Sequence, residues 1–327
     1  MKAWRVNELG EPRTVLQLED VAEPTAGDGQ VLVKVLATPA NFPDVLLCRG
    51  QYQIKPPLPF TPGVELCGEV VAVGAGVTRA AVGDRVVGNP ALPGGAFAEF
   101  AVMNQANVFP APKALDDAEA AALSIGYQTA WFALHRRTQI VEGDYLLVHA
   151  AAGGVGSAAV QLGKAAGAKV IGVVGGPEKV EYAKALGADL VVDRRTEDFV
   201  AAVKEFTGGH GADIVFDPVG GDAYAGSTKC IAFEGRIVVI GFAGGTIPQP
   251  ALNHALIKNY SIVGLHWGLY QAKNPAVIDA CHEELTRLAD EGLLKPLIGE
   301  RLALTDAADG VGRLGDGSTV GRLVFQR

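Results

Sequence analysis

The chain has few cysteines and no pattern that uses them together. Its 327 residues include only Cys48, Cys67, Cys230 and Cys281, and no two of these form a Cys-x-x-Cys pair. Because zinc ribbons and thioredoxin-like redox sites depend on such pairs, both are excluded. Four widely spaced cysteines in a chain of this size are more typical of reduced core residues than of a disulfide framework.

The chain also lacks long apolar runs and basic clusters. Lys164 and Lys169 interrupt the longest region of small residues, and the opening MKAWRVNELGEP includes no apolar run of the signal-peptide type. The net charge of −8, without a Lys/Arg run, argues against a nucleic-acid surface. We therefore expect a soluble, cytoplasmic protein that neither inserts into a membrane nor binds nucleic acid.

What is present is an ordinary globular composition, with 49% hydrophobic and 20% charged residues, over a length suited to about two domains. Short β-branched runs, punctuated by Gly, Pro and Asp, occupy residues 30–38, 67–76 and 83–90 and predict a β-rich first part. Residues 116–137 then change to a helical composition with an acidic start and a basic end, which suits the helix dipole.

From residue 144 onward, apolar strand runs alternate with helical stretches. The strand runs are YLLVHA, KVIGVV, DLVVD, DIVFD, GRIVVIGF and YSIVGL, and the helical stretches are 155–166, 177–187, 196–206 and 221–231. This alternation predicts an α/β fold with a doubly wound parallel sheet, and six strands match the dinucleotide-binding architecture. The tail has one strong helical stretch, 275–294, and a final strand in GSTVGRLVFQR, and we expect it to fold back onto the N-terminal β domain.

A glycine-rich turn follows the first of these strands, in HAAAGGVGSAAVQLGKAAGAKVIG. Aligned to G-x-G-x-x-G, it begins at Ala151 and keeps the second and third glycines, Gly153 and Gly156. Gly153 would let the backbone approach a pyrophosphate, and Gly156 would let the helix pack closely on the strand. The free N–H groups and positive dipole end of the helix would bind the phosphates.

The end of the second strand predicts which dinucleotide binds. An NAD site usually has Asp or Glu there, but here Val174 is followed by Gly175 and Gly176. Their lack of charge removes the repulsion of a 2′-phosphate, and Lys179 and Arg194 follow close enough in sequence to attract one. The pattern favours NADP(H) over NAD(H), although a lysine such as Lys179 alone is more often a solvated helix residue and the adjacent Glu178 argues against a phosphate site.

No ligand set for zinc is evident. Catalytic zinc needs three protein ligands and one open position. The segments NFPD, TPGVELCG and SIGYQT lack the necessary Cys and His residues, and GNPALPGGAFAEF contains no Cys for a structural zinc.

Taken together, these segments resemble the zinc-independent quinone oxidoreductases (zeta-crystallin-like) of the medium-chain dehydrogenase/reductase superfamily. The resemblance covers nearly the whole chain, and its strength lies in the order and spacing of its motifs. These are ANFPDVLLCRGQY, PFTPGVELCGEV, VGDRV, GGAFAEF, HAAAGGVGSAAVQLGKAAGAKVIG, ALGAD and FDPVGGD. Val64 stands where zinc-using relatives carry a His, and Asn41 stands near where they carry a Cys.

The resemblance implies a GroES-like β-barrel domain from residues 1–121 and 267–327, and a Rossmann NADPH-binding domain from residues 122–266. It also implies hydride transfer from NADPH to a quinone or an α,β-unsaturated carbonyl, with no metal. Dimers in this family commonly join the last strands of two Rossmann sheets, so YSIVGLH would be the edge strand of a homodimer.

Site residues are implied in the same way. Asn41, Tyr52 and Thr129 are expected to act in catalysis, with Asn41 lining the nicotinamide cleft. Tyr52 is also expected to line the substrate pocket, with His266 and Trp267. The residues expected to bind the cofactor are Asn41, Thr129, Ala152, Gly153, Gly154, Val155, Gly156, Gly175, Lys179, Arg194, Phe242, Ala243 and Arg322. Of these, Phe242 and Ala243 also end a parallel strand, on the side where such sheets bind ligands.

Several of these side chains have a structural alternative. Asn41 and Asp44 could cap a helix, and Thr129 could bond its own helix backbone. Tyr52 could be a surface-loop residue, and Arg322 could be an exposed strand residue. No residue stands out as a general acid, so the proton is expected from water, with the Tyr52 hydroxyl available to stabilise developing charge.

Two other functions stay open. Reduction of an enoyl thioester such as an acyl-CoA would need a basic entrance, for which Arg49, Lys55 and Lys273 are scattered candidates. A structural or regulatory protein that binds NADPH without turnover is the other alternative.

Overall fold

The computed structural model describes residues 1–327. The strands are β1 (Lys2–Val6), β2 (Leu16–Asp20), β3 (Gln30–Pro39), β4 (Leu66–Val73), β5 (Arg85–Gly88), β6 (Phe100–Asn104), β7 (Val108–Pro110), β8 (Tyr145–His149), β9 (Lys169–Val174), β10 (Leu190–Asp193), β11 (Ala212–Asp217), β12 (Ile231–Val239), β13 (Ser261–Gly264), β14 (Ile298–Ala303) and β15 (Arg322–Gln326).

The α-helices are α1 (Pro12–Val15), α2 (Phe42–Cys48), α3 (Asp117–Ala121), α4 (Ser124–Trp131), α5 (Gly154–Ala165), α6 (Pro177–Ala185), α7 (Phe199–Phe206), α8 (Gly221–Cys230), α9 (Leu252–Lys258), α10 (Gly268–Lys273), α11 (Pro275–Asp290) and α12 (Ala307–Gly315). Short 3₁₀ turns occupy Gln105–Asn107 and Leu304–Asp306, and a π-helical turn, Phe132–Arg137, continues α4. No helix combines the length and the apolar character that crossing a membrane would require.

The chain divides into two compact units. The first unit is Met1–Ile125 with His282–Arg327, and the second unit is Gly126–Cys281. We expected boundaries after residues 121 and 266, whereas α10 and the first half of α11 belong to the second unit. The physical reason is that a helical pattern shows that one face is buried but not which sheet covers it.

The second unit contains the predicted parallel sheet. Its six strands lie in the order β10-β9-β8-β11-β12-β13, and all adjacent pairs are parallel. This is the order of a dinucleotide-binding sheet, in which the chain starts at the centre and builds outward in both directions. The helices α5, α6, α7 and α8 correspond to the four predicted helical stretches. The prediction of a Rossmann fold is confirmed.

The apolar strand runs form the core of this sheet. Leu147, Ile171, Val215 and Ile237, each from a different strand, are fully buried and pack in one cluster. Burial of each such side chain contributes about 1.5–3 kcal/mol relative to exposure, which explains why the strands have no polar face. The carboxyl ends of β8 to β12 therefore share one edge, where loops rather than core residues begin.

The first unit is built around β3. This strand pairs antiparallel with β15, β4 and β6 within a seven-stranded sheet. Six of the strands lie in the order β14-β15-β3-β4-β5-β7, and the seventh, β6, branches from β3. Pro39, near the end of β3, faces Val324 of β15, and Ala37 faces Cys67 of β4. The turn that follows β3 is thereby brought beside the first residues of both β4 and β15, which places Asn41, Glu65 and Arg322 together. All four cysteines are buried thiols, as the sequence predicts.

Candidate active site

The glycine-rich turn lies where a dinucleotide fold binds phosphate. Gly153 is the N-cap of α5, and a Cβ on Gly156 would lie 2.1 Å from the carbonyl oxygen of Ala150. The helix therefore packs on the loop only because Gly156 has no side chain. The first N–H groups of a helix have no acceptor within it, so those of Gly154, Val155 and Gly156 are available to an anion.

The turn accommodates alanine in place of its first glycine. Ala151 is fully buried, and its Cβ occupies space beside Gly172 of β9, where a second Cβ would come within 2.9 Å. Ala150, one residue earlier, has the positive φ of 52°. The residue with positive φ is therefore Ala150, one position before the first residue of the aligned motif. The close approach of the helix to the loop at Gly156 is kept.

A second turn follows β9. Gly175 stands where an NAD site usually has an acidic residue, and the carboxylate of Glu178 lies over Gly176. Asp193, at the end of β10, accepts hydrogen bonds from the backbone N–H groups of Gly176 (2.9 Å) and Arg195 (3.0 Å). Its carboxylate is thus committed to holding two backbone segments together. Asp193 was not among the site residues predicted from the sequence.

Three cationic side chains gather at this turn. A Cβ on Gly175 would lie 3.1 Å from Nε of Arg194, so the guanidinium lies directly over the glycine. Partial burial lowers the pKa of Lys179, and the positive charges of Arg195 and Arg194 add to this effect while Glu178 opposes it. The structure thus brings Lys179 and Arg194 together as predicted, and it adds Arg195.

The first unit holds a buried polar network around Asn41, which is 4% exposed. Nδ2 of Asn41 donates to the Pro39 carbonyl (3.3 Å) and to Oε1 of Glu65 (2.9 Å), while Oδ1 accepts from Nη2 of Arg322 (2.9 Å). Nη2 of Arg322 also pairs with Oε1 of Glu65, and Oε2 of Glu65 accepts from the Ile125 N–H at 2.7 Å. Two opposite charges and one amide thus satisfy each other inside the unit.

Arg322 is a buried strand residue, not the exposed one that was the alternative from the sequence. It is 5% exposed, so the interpretation as an exposed strand residue is wrong. The reason is that β15 lies inside the sheet, between β14 and β3, and Glu65 provides the buried counter-charge. Its expected contact with the cofactor stays a prediction.

Asp44 caps α2, which is the structural role that the sequence offered for this residue. Its carboxylate accepts from the backbone N–H groups of Asn41 (2.8 Å) and Gly63 (2.9 Å). Complete burial raises the pKa of Asp44 to about 7, an effect that these two hydrogen bonds and the charge of Arg322 oppose. Asn41 is the N-cap of α2 and forms a capping box with Asp44, and its side chain also belongs to the network with Glu65 and Arg322.

Tyr52 is half-buried and packs against the core cluster of the first unit, so it is not simply a surface-loop residue. Burial raises the pKa of its hydroxyl, and the negative charge of Asp44 adds to this. The phenol therefore remains protonated and is able to donate a hydrogen bond at neutral pH.

In the second unit, α4 and the segment after β13 are joined by one hydrogen bond. Nε1 of Trp267 donates to Oε1 of Gln128 at 2.9 Å, so the half-buried indole has a polar contact. Thr129, the next residue of α4, is 9% exposed, and its hydroxyl makes no hydrogen bond within the protein. The expected alternative, a bond to the helix backbone, is therefore not formed. His266 is exposed beside Trp267.

Phe242 and Ala243 follow β12 and are exposed, at the edge of the sheet where the carboxyl ends of the strands lie. Asp217, at the end of β11, shapes the neighbouring turn by accepting from the N–H groups of Val219 (2.8 Å) and Gly220 (2.9 Å). The loops at this edge are thus held by hydrogen bonds while their side chains stay accessible.

His149 ends β8 and is buried against α8. Its Nε2 lies 2.8 Å from Oγ of Ser227, and that hydroxyl donates to the Ala223 carbonyl at 2.7 Å, so the imidazole is the donor of the first bond. Burial lowers the pKa of His149 to about 4, against the opposing charge of Asp217. The neutral ring is therefore a structural element that joins β8 to α8.

The structure brings no group of three or more His, Cys, Asp or Glu side chains close enough together to hold a metal ion. The network residue that the sequence analysis missed is Glu65. It stands in GVELCG as one charge among apolar residues, and a charge that becomes buried is almost always paired. The apolar surroundings of Glu65 in the sequence therefore indicate a buried acid with a counter-charge, but they do not indicate that the counter-charge is Arg322.

The comparisons with known proteins agree with this geometry. Residues 27–113 match the family described as alcohol dehydrogenase GroES-like domain, and residues 154–283 match the family described as zinc-binding dehydrogenase. This combination defines a medium-chain dehydrogenase/reductase.

Individual relatives narrow the class. The chain is 39% identical to a quinone oxidoreductase-like protein 2 homolog of Nematostella vectensis, over 99% of this chain and 88% of the relative. It matches the structure of Escherichia coli quinone oxidoreductase complexed with NADPH at a TM-score of 0.92 and 30% identity, over 100% of both chains. It is also 33% identical to a mycocerosic acid synthase-like polyketide synthase of Mycobacterium tuberculosis, over 91% of this chain but only 14% of that protein. The chain belongs to the zinc-independent quinone oxidoreductase family of the medium-chain dehydrogenase/reductase superfamily.

Proposed function

We propose that this protein is an NADPH-dependent, zinc-independent oxidoreductase that transfers hydride to a quinone or an α,β-unsaturated carbonyl. The observation that carries the proposal is the turn after β9. Arg194 lies over Gly175, Lys179 and Arg195 share its surroundings, and Gly175 stands where an NAD site usually has an acidic residue. A 2′-phosphate would meet three positive charges there against the one negative charge of Glu178, whose carboxylate lies over Gly176.

The residues of the second unit divide the binding of NADPH between them. Gly153, Gly154, Val155 and Gly156, with Ala152 before them, would bind the pyrophosphate through backbone N–H groups, because the cradle at Gly156 admits no side chain. Phe242 and Ala243 would contact the cofactor at the carboxyl edge of the sheet. The free hydroxyl of Thr129 would bond to the nicotinamide end.

NADPH, when bound, would supply a hydride from C4 of its nicotinamide. Tyr52, whose hydroxyl stays protonated, would donate a hydrogen bond to the acceptor oxygen as negative charge develops on it. Asn41 and Arg322 would orient the reacting groups. His266 and Trp267 would bound the acceptor, with Trp267 held in place by Gln128.

The direct experiment is to measure NADPH oxidation by the purified protein with a panel of quinones and 2-alkenals. Oxidation with at least one acceptor, undiminished after exhaustive chelation, is expected. Binding of NADPH without oxidation by any acceptor would support a non-catalytic protein instead.

A second candidate is reduction of an enoyl thioester, which the likeness to a segment of a polyketide synthase favours. One of the three cations considered for a CoA entrance is already engaged, since Arg49 pairs with Glu11 at 2.8 Å. Including an enoyl-CoA and an N-acetylcysteamine enoyl thioester in the acceptor panel distinguishes this candidate. Higher kcat/KM for a thioester than for any quinone would replace our first proposal.

We also propose that the protein forms a homodimer through β13. This strand is the last of its sheet and pairs only with β12. Beside it, Leu252, Leu256 and Ile257 of α9 are 73%, 77% and 73% exposed, and Phe233 is 68% exposed. An unpaired strand edge flanked by large exposed apolar side chains suits a second copy, because a two-fold axis would pair the two edges and cover both apolar faces.

A further inference from the structure

The network around Asn41 leaves its carboxamide only one orientation. In the observed orientation Nδ2 faces an anion, Glu65, and Oδ1 faces a cation, Arg322. Turning the amide over would oppose the oxygen to the carboxylate and the NH₂ group to the guanidinium. The two charges therefore decide which end of the amide points where, independently of any ligand.

The same contacts decide what Asn41 can still bind. Both hydrogens of Nδ2 are taken, by the Pro39 carbonyl and by Glu65. Oδ1 accepts one hydrogen bond, from Arg322, and a carbonyl oxygen has capacity for two. A further partner of this side chain must therefore be a hydrogen-bond donor.

Stability alone is a poor explanation for this arrangement. Glu65 is fully buried and Arg322 is 5% exposed, and a buried ion pair often contributes no more than well-packed apolar side chains of similar volume would. Nε of Arg322 is also buried without a hydrogen-bond partner, which adds a cost that a purely structural pair would avoid. The charges are better explained by what they do to Asn41.

We propose that Glu65 and Arg322 are positioning residues, which hold the Asn41 carboxamide so that it meets its ligand as a hydrogen-bond acceptor. The inference rests on the proposed function, in which Asn41 contacts the reacting end of the bound cofactor. The group recognised is then a hydroxyl or amide N–H of the nicotinamide half of NADPH. Small misplacements of an orienting group reduce rates by up to about 100-fold. Loss of the contacts from Glu65 and Arg322 to Asn41 should therefore lower mainly kcat.

Arg322→Lys separates positioning from folding. The lysine keeps the charge that Glu65 needs, but its side chain is one bond shorter, so its ammonium does not reach the position of Nη2, the atom of Arg322 that contacts both Glu65 and Asn41. We expect a thermal midpoint close to that of the wild type, a fall in kcat of about 10-fold or more, and a much smaller change in the KM for NADPH.

A second variant removes both charges. Glu65→Gln/Arg322→Met should unfold at nearly the wild-type temperature, because neither partner is left charged and alone, while its kcat stays about 10- to 100-fold below the wild-type value. The matched control is Arg85→Met/Asp117→Asn, which removes another ion pair of the first unit, with Nε and Oδ1 2.7 Å apart. Its kcat should not change.

The outcomes are distinct. Wild-type kcat in Arg322→Lys or in the double variant, an equal fall in the control, or failure of Arg322→Lys to fold would each show that the network is only structural and would overturn the inference. Those results leave the proposed function intact, since the wild type would still oxidise NADPH. A wild type that oxidises NADPH with no acceptor would overturn the proposed function and this inference with it.

Discussion

Arg194 and Gly175 are in direct contact, because the guanidinium of the first occupies the space that a side chain on the second would take. Gly175 follows β9 and Arg194 follows β10, and these strands are adjacent and parallel. Because Gly175 has no side chain, the guanidinium of Arg194 can lie over the end of β9. This pairing is what makes the turn suitable for a phosphate group.

The first prediction concerns cofactor preference. Lys179→Ala/Arg194→Ala should raise the KM for NADPH by about 100-fold, since two charge-assisted contacts of roughly 1.5 kcal/mol each are removed, and should change the KM for NADH much less. Steady-state kinetics with both cofactors measures this. The control is Lys184→Ala, because Lys184 lies on the same helix but pairs with Glu181. Equal effects on NADPH and NADH would discard the assignment of a 2′-phosphate site.

The second prediction concerns His149 and acid stability. Its folded-state pKa of about 4 lies below the ordinary value of 6.5, so between these values the unfolded chain binds a proton that the folded chain does not. The free energy of unfolding should therefore fall as the pH falls from 6.5 to 4, by up to about 3 kcal/mol from this group. Urea unfolding at several pH values should show a flatter dependence in His149→Gln. His266→Gln, at an exposed histidine, should keep the wild-type slope, and an unchanged slope in His149→Gln would contradict the prediction.

The third prediction concerns Asp44, whose contribution to the free energy of unfolding changes with pH in the opposite direction to that of His149. Its folded-state pKa of about 7 lies above the ordinary 3.8, so the folded chain holds the proton over this interval. The contribution of Asp44 should therefore decrease as the pH rises from 3.8 to 7, by up to about 4 kcal/mol. Relative to the wild type, Asp44→Asn should become more stable as the pH rises through this range. Parallel curves for the two proteins would show that Asp44 is ionised throughout.

These two groups act against each other over nearly the same pH range. The wild-type curve alone would therefore show little of either, and only the single variants separate them.

The fourth prediction concerns the homodimer. Light scattering should give twice the chain mass of 33.9 kDa for the wild type and the single mass for Leu256→Glu/Ile257→Glu, because charges on both copies would face each other in the interface. Leu293→Glu, at another leucine that is 54% exposed, should remain dimeric. A monomeric wild type at micromolar concentration would refute the proposal.

The sequence was most informative where its signals are local. The six apolar runs and the helices between them identified the parallel sheet, because buried parallel strands are apolar on both faces and can be recognised one at a time. Gly156 was recognised in the same way, from its spacing alone. The domain bounds after residues 121 and 266 stay a prediction, since nothing in the sequence of α11 indicates which residues pack with which compact unit.

The interior of the first unit shows the limit of that approach. Arg322 could be assigned to a strand from GRLVF, but its burial depends on Glu65, which is 257 residues away in the chain. A residue's charge is a property of the sequence, whereas the partner that makes its burial tolerable is chosen by strand pairing. Sequence alone determined the parallel sheet, the phosphate turn and the missing acid at the ribose position, because each depends on neighbours along the chain. Only the tertiary structure decided that Asn41 is held between two opposite charges, because that arrangement needs the ends of β3, β4 and β15 to meet.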